Sequence, residues 1–69
     1  MITNKEKLEI YIGMLENLLE AQPPDSEDLQ ELSLEMACAI DLRDYPDEEL
    51  EKDMWFQEHV LKELGNNKV

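Results

Sequence analysis

One cysteine in 69 residues, Cys38, leaves no internal disulfide and no cysteine-ligated metal centre to staple the fold. Two glycines leave little material for a phosphate-cradling loop. Six basic residues against eighteen acids are too few for contact with a nucleic-acid backbone or an anionic membrane. No uninterrupted apolar run occurs in the amino-terminal MITNKEKLEIYIGML, which reads as neither a secretory leader nor a membrane span, so a cytoplasmic location is expected. His59 has no second histidine or cysteine at ligand spacing, and Asp41 to Asp47 lacks the glycine of a calcium-binding loop. Neither a metal nor a cofactor is expected. Thr3, Ser26 and Ser33 have no evident base nearby, and carboxylate pairs among eighteen acids carry no information about acid-base chemistry. The chain reads as a non-enzyme.

What is present is charge and helical periodicity. A formal net charge of −12 sits on a chain that is 42% hydrophobic, which is too apolar for a disordered acidic tail. The length allows one domain, 1–69, and a chain this short buries only about 60% of its unfolded surface. Dimerisation would supply further burial.

Leu29 to Leu42, LQELSLEMACAIDL, is apolar at nine of fourteen positions and contains neither glycine nor proline. Leu29, Leu32, Met36 and Ile40 form one helical face, while Leu34, Cys38 and Leu42 carry apolar character around the cylinder. A helix apolar on most sides needs neighbours on two of them. This segment is therefore expected at the centre, with Cys38 as a small buried hydrophobe.

Before it, a helix is expected over about 5–21, capped by Thr3 or Asn4, with Leu8, Tyr11, Ile12, Leu15, Leu18 and Leu19 inward. Ile10 and Met14 fall outside that stripe and offer either a wider buried face or a second contact surface. Gly13 marks either a close helix crossing or an exposed neutral position, at a cost of about 1 kcal/mol in helix propensity. Pro23 and Pro24 end this helix, and Asp25 or Ser26 caps a second over 26–42. The short connection makes the two antiparallel neighbours. Tyr45, Pro46 and Asp47 form a second break, after which a third helix over 47–64 carries Leu50, Met54, Leu61 and Leu64 inward and ends at Gly65. Trp55, Phe56 and Val60 make a second apolar strip beside that stripe. The expected fold is all-α: a small up-down-up three-helix bundle, 5–21, 26–42 and 47–64, able to dimerise.

From Asp25 to Asp53 there are twelve acids and two bases, so most of the negative charge lies in this segment. Asp41, Asp44, Asp47, Glu48, Glu49, Glu51 and Asp53 surround the second break and form the candidate partner-binding set. Adjacent on a helix, Trp55 and Phe56 point about 100° apart, so one should face the core and the other is the candidate aromatic anchor. The alternative is a solvated acidic face plus helix-start acids, with both aromatics rimming a broad core.

Glu31-Leu32-Ser33-Leu34-Glu35-Met36, following an amphipathic helix and a loop, resembles the second-helix signature Ser-Gln-Glu-Leu-Asp of the small Spo0E-like sporulation phosphatases. Ser33, Glu35 and the apolar Met36 match, Leu34 replaces the glutamine, and Ala37 stands at the aspartate tied to activity. The resemblance implies an antiparallel helix pair acting on a response regulator. It covers about a quarter of the chain and lacks the chemical residue, so phosphatase activity is not carried over. In compact size, acidity and helical periodicity the chain also resembles many small phage or mobile-element proteins that block host DNA-binding machinery. The function expected first is a DNA-mimic-like inhibitor: a non-enzymatic acidic protein occupying a basic surface of another protein, a nucleic-acid-binding one foremost. The alternatives are a helical homodimeric assembly module and a Spo0E-like regulator.

Overall fold

Thr3 starts the first helix: its hydroxyl accepts the Glu6 amide at 3.1 Å while the Glu6 carboxylate accepts the Thr3 amide at 2.9 Å. This reciprocal box satisfies two amides that a helix start otherwise leaves orphaned. A computed structural model describes residues 3–64, and all its regular structure is helical. In order come α1 (Asn4–Ala21), α2 (Asp28–Asp41), a 3-10 turn (Leu42–Asp44), α3 (Asp47–Lys52), a π-helical segment (Phe56–Leu61) and a final turn α4 (Lys62–Leu64). Among the described residues, no helix is long and apolar enough to cross a membrane. The expected stop at Gly65 lies outside the described residues.

α1 and α2 are antiparallel. Leu18 and Gln22 lie beside Asp28 and Leu32, Tyr11 meets Glu35, and Glu9 meets Arg43, so residue numbers rise along one helix as they fall along the other. After Pro23 and Pro24, α2 begins at Asp28, whose amide donates to the Ser26 hydroxyl at 3.1 Å.

The organising helix is α1, which corrects the expectation that the second helix is central. Among the described residues, Leu8, Tyr11, Ile12 and Leu15 are four of the nine buried in the core, and α1 packs against α2, α3 and both parts of the last helical stretch. From α2 only Ala39 is fully buried, with Leu32 and Met36 packed partly against the core. Ile40, expected inward, is exposed, as are Leu34 and Cys38. With Ala39 facing inward, Ile40 and Cys38, each one position away and so about 100° around the helix, are turned outward. Leu18, expected in the α1 stripe, is also exposed. Gly13 marks no crossing, since nothing lies within 4 Å of where its Cβ would stand.

The expected third helix is interrupted. Asp53 is extended (φ −75°, ψ 127°), and its carboxylate accepts the Phe56 amide at 2.9 Å, so it ends α3 and caps the stretch 54–64. The interruption changes the helical phase. Leu50 is buried on one side of it, and Phe56 and Val60 on the other, while Met54, expected inward, is 70% exposed. Leu61 and Leu64 pack partly against the core.

Candidate functional site

The second break is built from the core outward. Leu42 is buried at the end of α2, the Tyr45 amide closes the 3-10 turn on the Leu42 carbonyl at 3.0 Å, and Pro46 is extended. The Pro46 carbonyl then accepts the Glu49 and Leu50 amides, which starts α3. Leu50 is the only α3 residue that is buried, and it fixes the rotation of this short helix. Asp47, Glu48, Glu49 and Glu51 are consequently exposed, as are Asp41 and Asp44 before them.

The seven candidate acids divide by what their carboxylates touch. Asp47 reaches the start of α1: its Oδ1 accepts the Lys5 amide at 2.9 Å and its Oδ2 the Asn4 side-chain amide at 3.4 Å. A carboxylate there also complements the positive end of the α1 dipole. Asp53, half-buried, is the cap described above. Both are structural. Asp41, Asp44, Glu48, Glu49 and Glu51 make no side-chain hydrogen bond or ion pair with the described residues, and all five face solvent.

The surroundings are tied down by α1. Arg43 makes a two-pronged ion pair with Glu9, Nε to Oε2 at 2.8 Å and Nη2 to Oε1 at 2.7 Å. This is the one ion pair among the described residues. The Arg43 hydrogen bond, more than simple charge attraction, lowers the Glu9 carboxyl below its ordinary range, and Glu9 in turn raises Arg43. Lys5 Nζ donates to the Arg43 carbonyl at 2.7 Å, so the start of α1 and the turn after α2 are held together twice.

Of the adjacent aromatics, Phe56 is fully buried and belongs to the core, which removes it as a partner anchor. Trp55 is the half-buried one. It meets Tyr11 edge-on with centroids 6.1 Å apart and stacks on His59 at 4.2 Å. His59 Nδ1 lies 3.0 Å from the Trp55 carbonyl, which can only accept, so that nitrogen carries the proton. His59 lies within the π-helical segment Phe56–Leu61. Tyr11 donates its hydroxyl to Glu35 Oε1 at 3.0 Å; burial first, then this carboxylate, raises the phenol above the ordinary tyrosine range. Sequence periodicity marked Tyr11 as core but carried no sign of its partners Glu35 and Trp55, which come from two other elements.

Two open grooves flank α1. One, of about 630 Å³, is lined by Lys5, Glu6, Leu8, Glu9, Ile10 and Arg43. The other, about 280 Å³, lies between Leu18, Gln22, Asp28, Glu31, Leu32 and Glu35. Among the described residues, no three histidine, cysteine or acidic side chains converge as a metal cluster. Comparison of the chain with protein-family models, curated proteins and solved structures finds no match.

Proposed function

We propose that the chain is a non-enzymatic binding protein that lays the acidic surface of α2's end and α3 on a basic site of another protein. One observation carries this reading: Asp41, Asp44, Glu48, Glu49 and Glu51 face solvent without a side-chain partner among the described residues, while Asp47 and Asp53 beside them are spent on helix caps. The five exposed carboxylates on a body of net charge −12 carry a cost in mutual repulsion, which the α3 dipole offsets in part only for Glu48 and Glu49 in its first turn. A basic partner surface offsets that cost. Trp55, half-buried beside Tyr11 and His59 just after α3, is the aromatic anchor in this reading. The partner class that fits is a protein whose own ligand is a polyanion, a nucleic-acid-binding protein foremost, because a row of exposed carboxylates competes for the same basic groove.

The test is capture from host lysate on the immobilised chain at roughly 50 mM salt, where the screening length exceeds about 10 Å, followed by elution with either duplex DNA or high salt. A basic protein released by both supports the reading. Captured proteins that neither agent releases contradict it.

A further inference from the structure

Along the outer side of α1, Ile10, Met14 and Leu18 follow at four-residue spacing and stay 46%, 38% and 46% exposed. On a helix turning about 100° per residue, the strip centres on Met14, and every acid of α1 stands well off that line: Glu6 by roughly 80°, and Glu9, Glu16 and Glu20 by more. The nearest charge is positive, Lys7, about 20° away. Asn17 and Ala21 complete the face, and Gly13 at its border has open space beyond it. Two bodies of charge −12 repel wherever acids meet, so self-contact is confined to a face without them.

The two ends of the strip differ in charge. Near Ile10 the groove is balanced, with Lys5 and Arg43 against Glu6 and Glu9, and Lys7 adds a positive charge. Near Leu18 the groove is acidic, lined by Asp28, Glu31 and Glu35, with Glu20 a short way along α1. A parallel pairing sets Lys7 on Lys7 and acids on acids. An antiparallel one sets each Lys7 against the acidic end of the other copy and opposes the helix dipoles.

We infer that α1 is a self-association face, on which a second copy of this chain packs antiparallel with Met14 at the two-fold axis and Ile10 of each copy against Leu18 of the other. Three half-exposed side chains per copy make a contact below the roughly 1,200 Å² of standard stable complexes, so the dimer is a weak, micromolar-to-millimolar one. It uses a different element from the acidic surface, so either can fail alone.

Sedimentation equilibrium of the full chain, at about 0.5 M salt to screen the net repulsion, should give a mass rising with concentration toward twice 8.1 kDa. Met14→Glu should weaken association at least tenfold with an unchanged helical circular dichroism signal, whereas Leu34→Glu on α2 should not. In a Cys38→Ser background, Ile10→Cys should be joined by a short bismaleimide to Leu18→Cys in a mixture and not to itself. A monomer at every concentration, a dimer indifferent to Met14→Glu, or Ile10→Cys joined to its own copy would each overturn the inference.

Discussion

The Oδ1 of Asp47 accepts the backbone amide of Lys5 at 2.9 Å, joining the first residue of α3 to the first turn of α1 across forty-two positions of sequence. An acid in the densest charge cluster is thereby a helix cap for a distant element. Asp47→Ala should lower stability by about 1 kcal/mol, the usual worth of a cap, which in a domain this small corresponds to roughly 4–8 °C in Tm. Glu48→Ala, one residue along and without a side-chain partner among the described residues, should lower Tm less than Asp47→Ala does, since it gives up only its place in the first turn of α3. Thermal unfolding of the two variants side by side checks this.

Phe56 and Met54 test the interruption at Asp53. Phe56 has no exposed surface, so Phe56→Ala removes about 3–5 kcal/mol by transfer and cavity terms. The whole stability expected for such a chain is roughly 3–10 kcal/mol, so this variant should lose about a third of it or more. Met54→Ala should change the urea midpoint little. An uninterrupted third helix with Met54 inward predicts large losses at both positions.

At Gly13 no neighbour would meet an added Cβ, and the backbone there is ordinary helix. Gly13→Ala should therefore stabilise by about 0.5–1 kcal/mol, chiefly by restricting the unfolded chain. Urea unfolding at a concentration that keeps the protein dilute isolates this effect from self-association.

The phenol of Tyr11 stays protonated in the folded state above the ordinary tyrosine value of 10.0, because of burial and its bond to Glu35. The unfolded chain ionises near that ordinary value. The contribution is therefore complete below pH 10 and declines as pH rises above it toward the folded value. Urea unfolding on both sides of that pH should show a steeper loss for the native chain than for Tyr11→Phe.

Much of the helical layout was legible in the sequence, because its signals are local. Thr3 with Glu6 marks the first start, the Pro23-Pro24 pair the first stop, and Pro46 the second break. Periodicity correctly placed Leu8, Tyr11, Ile12, Leu15 and Leu50 inward. On α2 it succeeded in part, with Leu32 and Met36 packed against the core, but a helix apolar on nearly every side has no sharply preferred face, and Ala39 turned inward while Ile40, Leu34 and Cys38 were left outside. It failed after Leu50, where the stripe through Met54 looked continuous. An aspartate can cap a helix or decorate its surface, and only the bond from the Phe56 amide to Asp53 distinguishes the two. The candidate acids were legible as a group. Their division into caps and unpaired charges was not, because it depends on the fold bringing α1 to Asp47.

That division is also the most direct test of the functional reading. The variant to make carries Asp41→Asn, Asp44→Asn, Glu48→Gln, Glu49→Gln and Glu51→Gln, with both caps intact, which changes the net charge from −12 to −7. Partner capture and Tm are then measured on the same preparation. Loss of capture with an equal or higher Tm is the predicted result. Capture retained in full by a folded, charge-depleted chain would contradict the account.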